Sequence, residues 1–212
     1  MNPPDHLVLI VDDDERICQA LTDLLESQGL SAVAFRSAGG YLAYARPDVP
    51  ACLILDVQLP DINGLEFQRQ ISEGDHPPVV FVTGHGDIPS SVRAIKRGAV
   101  DFLTKPFRGP ELIEAIHAAL AQDRRLRQEK AELEELRQRL CRLTPREREV
   151  LPLMVSGLLN KQAAAELGIS EITFQVHRGK VMQKMEAASL ADLVRMAERL
   201  RIPVTHSRRK AS

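Results

Sequence analysis

Long apolar runs are missing from this 212-residue chain. Stretches such as Leu7–Val11 and Val79–Val82 fall far short of the roughly 20 residues that cross a bilayer, so no membrane span is expected. The acids around the first of them, Asp5 and Asp12 to Asp14, exclude a secretory leader. Cysteine is scarce too. Cys18, Cys52 and Cys141 are odd in number and share no metal-ligand spacing, which argues against a disulfide framework and a zinc site alike and fits a reducing cytoplasm. Glycine (12) and proline (13) are too few for a fibrous or low-complexity chain. With 44% hydrophobic and 27% charged residues, the composition is that of a soluble globular protein of one or two domains.

The net charge of −1 conceals an asymmetry. Residues 1–121 carry 17 acidic against 9 basic side chains, whereas residues 122–212 carry 12 against 19. The first part is thus −8 and the second +7, which points to two domains, one of them facing a polyanion.

Short β-rich runs recur at Leu7–Val11, Ala32–Phe35, Cys52–Leu55, Val79–Thr83 and Asp101–Leu103. Helical spacing fills Glu15–Ser27, Gly40–Ala45, Leu65–Ile71, Ile88–Lys96 and Pro110–Leu120 between and after them. Five strands alternating with five helices predict an α/β doubly wound, five-stranded parallel sheet covered on both faces, with reactive residues beyond the carboxyl ends of the strands. Those ends carry Asp12-Asp13-Asp14, then Asp56, then Thr83-Gly84, then Lys105-Pro106. Taken singly, each has an ordinary role as turn residue, cap, strand hydroxyl or surface charge. Together they converge. Adjacent carboxylates repel unless a cation joins them, and hard carboxylate oxygens suit Mg²⁺, or Mn²⁺ in its place. With its charge offset by metal and Lys105, the Asp56 carboxylate is positioned as a phospho-acceptor, and Thr83 with nearby amides is expected to hold the phosphoryl oxygens.

Residues 1–121 resemble a response-regulator receiver domain, which is of the flavodoxin-like fold. The resemblance rests on Val11-Asp12-Asp13-Asp14, on Leu55-Asp56-Val57-Gln58-Leu59-Pro60-Asp61-Ile62-Asn63-Gly64, on Thr83-Gly84-His85-Gly86-Asp87, and on Phe102-Leu103-Thr104-Lys105-Pro106-Phe107. It implies that Asp12 and Asp13 form the acidic pocket, that the Gln58 backbone carbonyl completes the metal shell, and that Lys105-Pro106 is a cis peptide. It further implies a switch in which Thr83 moves toward the phosphoryl group and Phe102 repacks, remodelling the face between the Ile88–Lys96 helix and the fifth strand.

No glycine or proline interrupts the chain between Pro110 and Pro145. Within it Leu126, Leu133, Leu136, Leu140 and Leu143 follow spacings of seven, three, four and three, so residues 122–142 read as a helical linker. The stripe fits a short coiled-coil seam, or equally a single solvated helix that packs on its own domain. Cys141 beside it is expected to be inert.

Thr144-Pro145-Arg146-Glu147 is an N-cap, a proline at the first helical position and a capping-box glutamate, so a new helix and a new domain, 143–212, begin there. Gly157 ends that helix, Lys161–Leu167 is a second, Gly168-Ile169-Ser170 is a tight turn, and Ser170 caps a third that reaches about Met185. This is helix-turn-helix grammar in an all-α module. Ser189 caps a fourth helix through Leu200, whose stripe of Leu190, Leu193, Val194, Ala197 and Leu200 is expected to meet a partner in part. Pro152 inside the first of these helices is expected to kink it.

Residues 143–200 resemble the LuxR-type output domain, and its pairing with a receiver points to the FixJ-like branch of response regulators. The residues that carry this are Leu143–Leu151, Gly157–Gln162 and Leu167–Arg178. On the third helix Phe174, Val181 and Met185 are expected inward, leaving Thr173, Gln175, Val176, Arg178 and Gly179 near the DNA groove, with Lys161, Lys180 and Lys184 on phosphates. His177 is expected to be structural, and the tail His206–Lys210 a solvated end. Gln175, Gly179 and Phe174 depart from the residues usual in that family, so base specificity does not carry over.

These readings define a cytoplasmic, phosphorylation-controlled DNA-binding regulator with no enzymatic activity beyond handling its own phosphoryl group. Its expected partners are a sensor histidine kinase, double-stranded promoter DNA, a second copy on phosphorylation, and RNA polymerase. Two rivals remain. One is an aspartyl-phosphate phosphatase with Asp14 as general acid, and the other a DNA-binding protein that works without phosphate.

Overall fold

The computed structural model describes residues 5–71, 74, 76–84, 94–96 and 98–203. The elements run β1 (Leu7–Val11), α1 (Glu15–Ser27), β2 (Ala32–Phe35), α2 (Ala38–Leu42), β3 (Ala51–Asp56), α3 (Gly64–Ile71), β4 (Val79–Thr83), β5 (Asp101–Thr104), α4 (Gly109–Cys141), α5 (Pro145–Val155), α6 (Asn160–Glu166), α7 (Glu171–Met185) and α8 (Leu190–Arg199). Of the helix expected over Ile88–Lys96, only Ala94 to Lys96 are described, and they are helical. His85-Gly86-Asp87 and the tail from His206 lie outside the described residues.

The chain divides into two compact units at Arg127 and Gln128, inside α4. In the first, all five strands are parallel in the order β2-β1-β3-β4-β5. Strand side chains alternate between faces, so each strand feeds two cores. Leu9, Val11, Leu53, Leu55 and Phe81 pack with Tyr41, Leu65 and Phe67 of α2 and α3. Val8, Ile10, Ile54, Val80 and Val82 pack on the other side with Leu21 and Leu25 of α1 and Leu112, Ile116 and Leu120 of α4. The strand order reverses between β1 and β3, which places the ends of those two strands at the switch point of the sheet.

The sequence places α2 at Gly40–Ala45, but Ser37 caps it earlier by accepting from the Gly40 amide. As the lack of glycine and proline after Pro110 leads one to expect, the helical linker continues the preceding helix without a break, and α4 runs to Cys141. Asp123 is buried and accepts from the Ala51 amide at 2.8 Å and from Arg127 Nε at 2.7 Å, while Arg127 also pairs with Asp48. Those contacts hold α4 to the first unit as far as Arg127. Beyond it Leu136 and Leu143 are buried and Leu140 packs on the second core, so much of the leucine stripe is used within its own unit.

The second unit closes α5 to α8 around Val150, Leu151, Ala163, Phe174, Val181, Met185 and Leu193. Thr144 forms the expected capping box with Glu147, and Ser170 and Ser189 cap α7 and α8. Gly157 and Gly168 supply the positive φ values (76° and 63°) that end α5 and turn the chain out of α6. Pro152 sits inside α5 and the helix continues through it to Val155, with the Pro152 carbonyl still accepting from the Ser156 amide.

Candidate functional site

The carboxyl ends of β1, β3 and β5 in the first unit build one cluster. Asp12 follows β1 and Asp56 closes β3, both buried, and Asp13 stands beside them exposed to solvent. Carboxylate oxygens of the three lie within 4.8 Å of one another. Lys105, just past β5, reaches across: its Nζ donates to Asp12 Oδ2 at 2.6 Å and to Asp56 Oδ2 at 2.8 Å. The other oxygens are also held. Asp12 Oδ1 accepts from the Asp14 amide and Asp56 Oδ1 from the Gln58 amide, each at 3.0 Å.

Burial pushes the Asp12 carboxyl above the usual carboxylate range, although Lys105 and the Asp14 amide pull against it. Burial opposes the charge on Lys105, but hydrogen bonds to Asp12 and Asp56 outweigh it and raise the amine above its ordinary value. The lysine is therefore a fixed cation. Its approach is set by the Lys105 amide donating to the Thr83 carbonyl at 2.8 Å, and Lys105-Pro106 is cis. Thr83 is fully buried as the last residue of β4, whose Val82 lies beside Asp56 in register. Phe102 is half-buried, its ring centroid 6.0 Å from that of Phe81.

One residue of the pocket had no role in the sequence reading. A Cβ on Gly64 would lie 2.2 Å from the Asp56 carbonyl oxygen and 2.9 Å from Val57 Cα, so only glycine fits. The Gly64 amide donates to the Val57 carbonyl, and Gln58 bridges to Asn63, folding the segment after β3 tightly back on Asp56. The Asn63-Gly64 turn pair was the available signal. Asp14 serves elsewhere, as the cap of α1, where it accepts from the Arg16 amide at 2.8 Å and stands outside the acidic cluster.

On the second unit, Lys161, Thr173, Gln175, Val176, Gly179 and Lys180 are exposed as expected. The Thr173 hydroxyl is 2.8 Å from that of Ser170, inside the cap of α7. Two expected DNA contacts are engaged within the protein. Arg178 donates to Asn160 Oδ1 at 2.8 Å. Lys184 donates to Glu147 Oε2 at 2.7 Å, because the buried carboxylate that closes the capping box needs a counter-charge. Lys184 is thereby a structural cation of the module. With it and the Thr144 amide as donors, Glu147 is held at about 2, far below its ordinary 4.5.

A buried acid pair bridged by lysine at the switch point of a parallel sheet, followed by a capped helix-turn-helix module, defines a two-domain signalling regulator. Residues 8–117 match the response regulator receiver domain, and residues 142–197 match the bacterial regulatory proteins of the luxR family. The chain belongs to the response regulators that pair a receiver with a LuxR-type DNA-binding domain, FixJ-like transcriptional regulators under phosphorylation control. It is 49% identical to nodulation protein W of Bradyrhizobium diazoefficiens over 202 residues, 95% of this chain and 89% of that protein. It is 42% identical to the transcriptional regulatory protein FixJ of Azorhizobium caulinodans, covering 92% of this chain and 93% of that one. Among solved structures, response regulator StyR superposes with a TM-score of 0.78 at 42% identity, covering 92% of this chain and 98% of that one.

Proposed function

We infer that Asp56 receives a phosphoryl group from the phosphohistidine of a sensor histidine kinase, and that the acyl phosphate so formed controls binding of the second unit to promoter DNA. The observation that carries this is Lys105 bridging Asp12 and Asp56, with Asp13 in the same cluster. One Asp56 oxygen attacks phosphorus in line as the donor N–P bond breaks and the imidazole leaves. Gln58 donates to Oδ1 and fixes the carboxylate plane, Lys105 neutralises charge at Oδ2, and Thr83, buried at the end of β4, is assigned to the phosphoryl oxygens.

The donor set, carboxylates of Asp12, Asp13 and Asp56 with the Gln58 carbonyl, is all hard oxygen and suits Mg²⁺ or Mn²⁺. When bound, the cation neutralises the charge that develops on the transferring phosphoryl group. Asp14, the general acid that a phosphatase reading would need, is spent on the α1 cap, which favours the regulator reading.

The test is incubation with acetyl phosphate and Mg²⁺. One acid-stable, hydroxylamine-labile phosphoryl group is expected, absent in Asp56→Asn and absent with a chelator. Equal labelling of Asp56→Asn removes the assignment. The output reading adds a second copy of the chain, since a two-fold site needs two modules, with Thr83 and Phe102 as the switch and RNA polymerase as the downstream partner. No described helix is long and apolar enough to cross a membrane, and we place the protein in the cytoplasm.

A further inference from the structure

Gln68 lies on the inward face of α3 among Leu65, Phe67 and Ile71 and is only 4% exposed. Its Oε1 finds no hydrogen-bond partner among the described residues. An amide atom buried in that way costs free energy, and turning the amide end for end only exchanges which atom is stranded. An apolar side chain of the same shape would fill the position without that cost. The glutamine therefore points to a donor from outside the chain.

Space for that donor lies beside it. A cavity of about 170 Å³ opens at the amino end of β4, the end of the sheet opposite to Asp56, and Gln68 is in its wall. Ile71 of α3, Pro77 and Pro78, Val79 of β4 and Leu126 of α4 make the rest of that wall largely apolar. The His76 ring at its edge is already engaged, its Nδ1 standing 3.0 Å from the Tyr41 hydroxyl. No Lys, Arg, Asp or Glu is among the described residues that line the cavity, so a charged ligand would enter without a counter-charge. An apolar cavity of about 150 Å³ is large enough to hold a benzene ring. The soft terminal torsion of glutamine lets the Gln68 amide turn its oxygen toward a molecule of that size.

We propose that this cavity binds a neutral, ring-sized organic molecule carrying one O–H or N–H donor, with the ring seated on Ile71, Pro77, Pro78, Val79 and Leu126 and the donor given to Gln68 Oε1. The site stands apart from the phospho-acceptor but shares its framework. α3 begins at Gly64, which folds back on Asp56, and α4 passes into the second unit directly after Arg127. A ligand touching Gln68 and Leu126 therefore ties the helix that leaves the Asp56 loop to the helix that leads out of the first unit.

The experiment titrates the full-length chain with phenol, and with benzene as the same ring without a donor, followed by methyl NMR. Phenol should shift the Ile71, Val79 and Leu126 methyl resonances saturably, binding about ten-fold more tightly than benzene, the size of effect of one hydrogen bond to a buried group. Gln68→Leu should lower phenol affinity about ten-fold and leave benzene affinity unchanged or raised. Its melting temperature should hold or rise, since a stranded amide is removed. Leu126→Trp, changed at a rim position that is 45% exposed, should fill the cavity and abolish both titrations. Shifts that do not saturate, or that fall outside the cavity wall, overturn the site. Equal affinity of wild type for phenol and benzene, or phenol affinity unchanged in Gln68→Leu, overturns the donor and with it the ligand class. A Gln68→Leu protein that melts well below wild type assigns the amide to the fold and removes the argument for a ligand.

Discussion

A carboxylate buried as deeply as Glu147 stays ionised only where donors surround it, and here Lys184 and the Thr144 amide do so. Its folded pKa, about 2, lies below the unfolded 4.5, so the stability it contributes is complete above about pH 4.5 and drains away as pH falls toward 2. Melting of the second unit should therefore fall across that window, and Glu147→Gln should be less stable at pH 7 but show a flatter acid limb. Circular dichroism melts of both proteins from pH 7 to pH 2 check this, and parallel limbs would refute the coupling. In the first unit, Gly64→Ala must push the Asp56 carbonyl aside, since its Cβ would sit 2.2 Å from that oxygen. Acetyl phosphate labelling should drop at least about ten-fold, the size of effect expected when a reacting group is displaced. Labelling at the wild-type rate would show that the loop absorbs the methyl. Asp12, Asp13, Asp56 and Lys105 were legible in the sequence because each sits directly past a readable strand. Lys184 was not, since its partner is 37 positions away and nothing local distinguishes a counter-ion from a phosphate ligand.

At the scale of elements, β3 is held at both ends. Its carboxyl end carries Asp56 against Lys105, and its amino end, Ala51, donates to the buried Asp123 of α4. Asp123→Ala would strand the Ala51 amide and leave Arg127 with Asp48 alone, and should lower stability by about 2 kcal/mol. Asp48 meets the same arginine from an exposed position, so Asp48→Ala should cost under about 0.5 kcal/mol. Urea unfolding of the two variants separates these values, and equal losses would mean that Asp123 acts only as a surface pair. Strands were readable because β1, β3 and β4, buried at every position, are continuous apolar runs, and the long helices because period-3.6 burial is written in residue order. α2 was misplaced because it is short and its start depends on the Ser37 cap. The kink expected at Pro152 does not interrupt α5, since proline removes one donor while the rest of the helix is held by Val150, Leu151, Leu153 and Met154 in the core.

For the whole molecule, the division between units was the least legible feature, because a helix that serves two cores carries no glycine or proline to mark where one ends. The +7 charge of residues 122–212 and the capping box at Thr144 point to an output module from 143, and the compact unit that contains it also takes in the end of α4 from Gln128. Residues 128–142 are structural parts of that unit: Leu136 is buried, Glu132 pairs with Arg199 at 2.9 Å, and Arg139 donates to the Met185 carbonyl at the end of α7. A cation there also suits the negative end of the helix dipole. The fragment 128–212 should therefore be more stable than 143–212. Restoring two leucines to the core contributes about 3 kcal/mol, or about 15 °C in melting temperature for a domain of this size. Both fragments should bind duplex DNA with affinity that falls as salt rises, because the exposed cations Lys161 and Lys180 are present in each. The shorter one should bind more weakly at 37 °C in proportion to its unfolded fraction. Matching melting temperatures would instead make 128–142 a passive spacer. The leucine stripe would then be free for pairing between chains, a role that burial of Leu136 now opposes and that sedimentation of Leu126→Asp, altered at an exposed position of the same stripe, would expose.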